Sequence, residues 1–308
     1  MAENTRRSYA SHWRQYTAWC AEVGRVDRPA TAATLAAYMD HLADRALVES
    51  TLSAHLAAIV AMHCAAGDQS PGTLAARRVI VDRARQTRRR PRGPTRPDCC
   101  PPDLRAMVAT LDLSTAAGLR DRAVILLGWA MAARRSEIAA LNIADVCDAA
   151  HGLRVTVRAS KTDQAAKGVV VRVPAGRNPE LCPRRAGACL DRLLGWQGGT
   201  RRPAVRASGS ARQRRRRLFG QAIAAIITAA AAAAGLDKPP ADPLDDAGLR
   251  RYTGHSTRRG FVTTALARKD ADAAAIAEHG RWTRGSNAFW NYYEPDRDWD
   301  KHPGDGLL

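Results

Sequence analysis

Residues 255–266, HSTRRGFVTTAL, and residues 279–293, HGRWTRGSNAFWNYY, carry side chains of the kinds that phosphate chemistry uses. His255 and Arg258 are three residues apart, which puts them on one face of a helix. A guanidinium offers a phosphate a fixed fork of donors, and an imidazole holds or moves a proton. Tyr292 and Tyr293 follow, and a phenol is able to act as a covalent nucleophile. Alone the signal is weak: HxxR is common by chance, and a tyrosine pair is more often packing. The rest of the chain decides its meaning.

The chain has 308 residues, enough for one large or two ordinary domains, and 45% of them are hydrophobic. Its formal net charge of +18 is too large for neutral surface decoration. It points to a polyanionic partner, nucleic acid first and an anionic membrane second. The seven cysteines (Cys20, Cys64, Cys99, Cys100, Cys147, Cys182 and Cys189) are odd in number and include no CxxC. Neither a disulfide framework nor a zinc site is expected, and the thiols read as reduced. The first residues have no apolar signal region and no apolar run reaches membrane-spanning length. The expectation is a soluble cytoplasmic protein, associated with the nucleoid, with no membrane partner.

Upstream, the first 86 residues read as four helices. Tyr9, Trp13, Tyr16 and Cys20 form the core stripe of a helix over residues 4–23, ended by Gly24. Thr31 or Thr34 caps a second helix and Ser50 a third, which Gly67 stops; Pro71 and Thr73 begin a fourth. Residues 87–101, TRRRPRGPTRPDCCP, have no apolar face and read as an extended basic linker. Arg88, Arg89, Arg90 and Arg92 suit contacts to a DNA backbone. A second domain, residues 102–308, opens with helices over Leu104–Leu111 and Arg120–Ala132, the latter apolar all round. That helix runs directly into Arg134, Arg135, Ser136 and Glu137. Leu153–Val157 and Val169–Val173 alternate as strands of a hairpin, with Lys161 at its polar tip. Helix returns near Cys189–Trp196. Residues 200–217 are basic, and Arg214, Arg215, Arg216 and Arg217 are candidate nucleic-acid contacts. An alanine-rich helix over Leu218–Ala234 precedes the opening stretch.

In chain order the second domain therefore offers Arg134 with Glu137, then Lys161, His255-x-x-Arg258, Trp282 and a tyrosine. This order closely resembles the tyrosine recombinase (phage integrase) family over nearly the whole chain. The segments that carry the resemblance are RDRAVILLGWAMAARRSEIAALNIADV, SKTDQ, HSTRRGFVTTAL and HGRWTRGSNAFWNYY, with SYASHWRQYTAWC and STLSAHLAAIVAMH in the first domain.

The resemblance implies a mainly α fold. It has an N-terminal four-helix, SAM-like core-binding domain and an α+β catalytic domain of the DNA breaking-rejoining type, mostly helical with a small antiparallel sheet. It implies metal-independent phosphoryl transfer through a 3′-phosphotyrosine, with no cofactor. Arg134 and Arg258 would clamp the non-bridging oxygens, Lys161 would protonate the leaving 5′-oxygen, and His255 would assist the tyrosine. Trp282 would donate its indole N–H, and Glu137 would orient its neighbours. The family commonly places the nucleophile nine residues after the Trp282 position, which here is Asn291. One extra residue at Arg284–Ser286 makes Tyr292 the nucleophile, with Tyr293 the alternative; His279 stays outside the set.

The implied partners are double-stranded DNA with paired inverted-repeat sites, a homodimer on each site and a homotetramer in the synapse. A strap between two domains suits a C-shaped clamp. No further arm-site-binding domain is expected, which favours a simple recombinase, and a C-terminal helix is doubtful. The competing readings are a catalytically inactive DNA-binding regulator with the same fold, and a basic RNA- or membrane-binding protein. The second explains the charge and leaves the constellation unexplained.

Overall fold

The computed structural model describes residues 3–88, 97–158, 168–194, 218–237, 252–268, 270–283, 285–290 and 292. The chain divides into two compact units, Met1–Gly93 and Pro94–Leu308.

The first unit is four helices: α1 (Glu3–Glu22), α2 (Ala32–Asp44), α3 (Glu49–Ala65) and α4 (Leu74–Arg88). α1 packs on α3, and α2 on α4. The aromatic stripe of α1 buries Tyr16, Trp19 and Cys20 against Leu35, Tyr38, Met39, Leu42, Leu52, Leu56 and Ile59. Tyr9, expected in that core, is only half-buried because it lies a turn above the packed region. Thr31 caps α2 by accepting the Thr34 N–H at 3.1 Å. Ser50 does not cap α3. The helix begins one residue earlier, at Glu49, after Val48, which gives no side-chain cap, and Glu49 places its negative charge in the first turn. α4 starts just after Thr73 and extends to Arg88, into the stretch expected as linker.

The other end of that stretch is also folded. Cys99 is fully buried, its N–H donates to Ser256 O at 3.2 Å, and its carbonyl accepts the Trp129 indole N–H at 2.9 Å. The linker expected over residues 87–101 is therefore shorter at both ends. Pro101 and Pro102 do not delay the next helix, because a first turn needs no N–H donors.

The second unit holds α5 (Pro101–Ala109), α6 (Ala116–Ala130), α7 (Arg135–Ala140), a 3-10 turn at Ile143–Asp145, β1 (Val146–Ala149), β2 (Gly152–Val157), β3 (Val169–Pro174), α8 (Pro183–Leu194), α9 (Gly220–Ala233), α10 (Ser256–Leu266), α11 (Ala273–His279) and α12 (Asn287–Trp290). The sheet is antiparallel in the order β1-β2-β3, with Val157 opposite Val169 at the end of the β2–β3 hairpin where the chain crosses between the strands. β1 is not visible in the sequence, because VCDA is four residues long and does not alternate. α6 sinks into the core on most of its surface, burying Val124, Ile125, Leu126 and Leu127. α9 turns Ile223, Ile227, Ala230 and Ala231 inward. Small alanines on that face let it pack on α7 and α5. Among the described residues no helix is long and apolar enough to cross a membrane.

Candidate active site

The site is built on the C-terminal end of α6. The helix closes at Met131, and Ala132 then turns left-handed with φ 45°. Ala132 N–H donates to Trp129 O and Ala133 N–H to Gly128 O, each at 2.9 Å, which is the Schellman pattern. The carbonyls of Ala130, Met131 and Ala132 remain, and a helix end buried without partners is costly. Three side chains from much later in the chain satisfy them. His279 Nε2 donates to Ala130 O at 2.9 Å, and Arg281 Nη1 donates to Met131 O at 3.1 Å. Arg258 Nη1 donates to Ala132 O, which Arg281 Nη2 also approaches at 3.4 Å. Cations there complement the negative end of the helix. This role falls to Arg258, Arg281 and His279 rather than to the arginines directly after α6, because Arg134 turns away to start α7.

Arg134 is the N-cap residue of α7, and Glu137 sits three residues into the turn. One Glu137 carboxylate oxygen accepts the Arg134 N–H at 2.9 Å, and the other accepts Arg134 Nη1 at 2.7 Å. Arg281 Nη2 donates to the first of these oxygens at 2.6 Å. Glu137 is 2% exposed. Burial by itself would raise its carboxyl, but Arg281 and Arg134 more than offset this and hold it below the usual carboxylate range. Arg134 keeps partial access to solvent, its side chain 19% exposed.

α10 carries the other half. His255 is exposed at the N-terminal end of the helix, and Arg258 lies one turn on. His255 Nε2 and the Tyr292 hydroxyl are 2.7 Å apart in a hydrogen bond. Arg258 is 1% exposed. Its Nη2 donates to Gly280 O at 2.7 Å, and its guanidinium carbon lies 3.6 Å from the centre of the Trp282 ring. Trp282 in turn meets the Tyr292 ring edge-on at 5.4 Å. Gly280 has to be glycine, since the Trp282 ring occupies the space a Cβ would take. Burial, with Arg134 close by, pushes the Arg258 guanidinium down to about 9. At neutral pH it stays charged. One carboxylate, Glu137, thus faces three guanidinium groups, and the excess positive charge suits an anion.

The structure therefore brings together Arg134, Glu137, His255, Arg258, Trp282 and Tyr292, from α6–α7, α10 and the α11–α12 region. Backbone carbonyls hold Arg258 and the indole roofs it. Lys161 and Tyr293 lie outside the described residues, as do Arg89, Arg90, Arg92 and Arg214–Arg217. Arg88 ends α4 and nothing further is described of its side chain. Sequence reasoning missed Arg281. In HGRW no period or spacing separates it from the chain's other arginines. His279, left outside the set, proves to cap α6 and to stack on Phe261 with ring centres 4.8 Å apart. Burial lowers its imidazole below the ordinary value. Asp98 forms an ion pair with Arg259, whose guanidinium stands 5.8 Å from the centre of the Tyr292 ring. Among the described residues no group of three His, Cys, Asp or Glu side chains is placed to hold a metal ion.

A model of the phage integrase family matches residues 101–298. The chain belongs to the phage integrase family. It is 31% identical over 287 residues to an integrase/recombinase xerD homolog of Selenomonas ruminantium, covering 91% of this chain and 78% of that one. Its fold is similar to that of a lambda integrase tetramer bound to a Holliday junction, with TM-score 0.58, 15% identity, and coverage of 98% of this chain and 75% of the other. It is also similar to that of the XerH site-specific recombinase bound to a palindromic difH substrate, with TM-score 0.55, 14% identity, and coverage of 86% and 69%. The mainly helical fold with a small antiparallel sheet is thus the fold of this family.

Proposed function

We propose that this integrase-family chain is a site-specific DNA recombinase that cuts and rejoins DNA through Tyr292. The observation that carries the reading is the 2.7 Å hydrogen bond between the Tyr292 hydroxyl and His255 Nε2, beside the arginine cluster. Nucleophile and proton acceptor are already within reach of each other. The phenol oxygen attacks the scissile phosphorus while its proton passes to His255 Nε2. The bond from phosphorus to the 5′-oxygen breaks, and Lys161 protonates that oxygen. The product is a 3′-phosphotyrosine and a free 5′-hydroxyl. A 5′-hydroxyl from another strand then reverses the attack, so the bond energy is conserved. Arg134 and Arg258 neutralise the non-bridging oxygens, the part of phosphoryl transfer where positioned charge matters most. The charges required are supplied by side chains, with no metal and no cofactor invoked. Trp282 lies over Arg258, and its indole N–H supplies a further donor to a phosphate held there.

On this reading residues 1–86 grip the core site and residues 102–308 perform the chemistry. Arg88, Arg89, Arg90, Arg92 and Arg214–Arg217 contact DNA phosphates. Two protomers act on each pair of inverted repeats and four in the synapse, working on DNA in the nucleoid. Support for the assembly comes from the folds it shares with a lambda integrase dimer bound to a core site and a tetramer bound to a Holliday junction. The test is a duplex bearing the inverted repeats beside the gene, nicked near the cleavage position so that the cut is trapped. Wild type should give a covalent adduct on a denaturing gel, and Tyr292→Phe should give none while still binding the duplex. Absence of any adduct with wild type would sink the reading and leave a DNA-binding regulator. An adduct that survives Tyr292→Phe and is lost in Tyr293→Phe would move the nucleophile by one residue.

A further inference from the structure

Arg281 follows the C-cap of α11 and has φ 59°, in the left-handed region. Its N–H donates to Glu278 O at 2.9 Å and Trp282 N–H to Ala277 O at 3.0 Å, so α11 ends in the same Schellman pattern as α6. Glycine or asparagine serves that position at lower cost. An arginine there is explained by what its side chain does. Besides the α6 carbonyls it takes His279 O at 2.8 Å and Glu137 at 2.6 Å, and the whole residue is 7% exposed. It also reaches Arg134 by a second route, since Arg134 Nη2 points at Arg281 O from 3.5 Å. The next residue, Trp282, covers Arg258.

We propose that Arg281 is a positioning residue for the transfer step. By occupying one oxygen of Glu137 it keeps that carboxylate from closing on Arg134 as a two-pronged pair, and so leaves Arg134 donors free for phosphate. Without Arg281 that oxygen keeps only the Arg134 main-chain N–H, which leaves it room to accept a guanidinium donor, and the two-pronged pairing of carboxylate with guanidinium is then favoured. The Arg281 main chain meanwhile fixes where Trp282 lies over Arg258. Both arginines of the proposed phosphate clamp are therefore set by one residue that touches neither DNA nor the reacting atoms. This inference rests on the recombinase reading above.

The experiment uses the full chain and the nicked duplex, with either a normal phosphodiester or a methylphosphonate at the scissile position. The methylphosphonate is uncharged and has less need of the clamp. At saturating DNA, Arg281→Met should cut the phosphodiester about 100-fold more slowly than wild type, the scale of loss for a misplaced catalytic group. Duplex affinity should stay unchanged. On the methylphosphonate the gap between the two proteins should shrink to about threefold. Arg281→Lys, which reaches Glu137 without the fork, should fall between. If Arg281→Met folds poorly, the double variant Arg281→Met with Glu137→Gln removes both buried charges together; with no carboxylate left to close on Arg134, its loss on the phosphodiester should shrink to within about tenfold of wild type, and a loss as large as about 100-fold would overturn the proposal. Equal losses on the two substrates, or no loss on either, overturn the proposal while leaving wild-type cleavage, and hence the recombinase reading, intact. Failure of wild type to form an adduct removes both.

Discussion

Glu137 links residues that the sequence places far apart. It accepts from the Arg134 main chain, the Arg134 guanidinium and the Arg281 guanidinium. Replacing it by glutamine keeps the shape and removes the charge, leaving two guanidinium groups without their counter-ion in a largely buried place. Breaking a buried pair from one side costs about 3–5 kcal/mol. Glu137→Gln should therefore lower the unfolding free energy by about 3 kcal/mol, read as a shift of the urea midpoint at constant slope. A shift under about 0.5 kcal/mol would show that the carboxylate is not bearing this charge. Tyr292 stands differently: it is 8% exposed, packed with Val262 and Phe289, and its hydroxyl meets His255. Tyr292→Phe keeps the ring packing, so its melting temperature should stay within a few degrees of wild type while cleavage is lost.

At the scale of elements, α10 is where the site meets the core. Gly260 lies against the Cys99 carbonyl, and a Cβ there would collide with that backbone. Gly260→Ala should push residues 97–100 off α10, at a cost of about 1–3 kcal/mol. That corresponds to a fall of about 5 °C in the thermal melt, with slower cleavage because His255 and Arg258 ride on the same helix. An unchanged melt would mean that this contact does not hold the helix in place. The helices of the first unit carry a separate pH sensitivity. His55 is buried, shares a hydrogen bond with Tyr38 at 3.1 Å, and packs 4.0 Å from the His12 ring. Burial, then His12 and Arg45, push its imidazole down to about 4 from an ordinary value of 6.5. The folded state thus binds fewer protons than the unfolded chain between these values. Stability is full above about pH 6.5 and falls as the pH drops toward 4, by on the order of 3 kcal/mol. Urea melts at pH 7.5 and 4.5 should show this loss, and His55→Gln should flatten most of it.

For the molecule as a whole, the net charge of +18 sets the partner more than any single side chain does. If the basic runs at residues 88–92 and 214–217 lie along phosphates, duplex binding releases many counterions. Affinity should then drop about 1,000- to 100,000-fold between roughly 50 and 200 mM salt. Filter binding or fluorescence anisotropy on a duplex of any sequence measures the slope, and a flat response would remove these runs from the DNA contact.

The sequence by itself determined much at this scale, because hydrophobic period and residue chemistry are local. The four helices of the first unit, the apolar α6, the two β-branched strands and the order Arg134, Glu137, His255, Arg258, Trp282, Tyr292 all follow from patterns within a few residues. The chemistry of the set could be named without coordinates, since only certain side chains hold a phosphate or yield a nucleophile. Only the tertiary structure showed that Tyr292 stands 2.7 Å from His255, although 37 positions separate them. Only it revealed that Arg258 is roofed by Trp282, that β1 completes the sheet, and that Cys99 is packed against α10 rather than strung out as linker. Arg281 is the sharpest case. In HGRW it is one more arginine in a basic chain, and no period or spacing marks it. Its role arises because two helix ends, α6 and α11, finish back to back and leave carbonyls and a carboxylate that one side chain is able to satisfy. Such a demand is created by distant segments meeting, and local sequence carries no record of it.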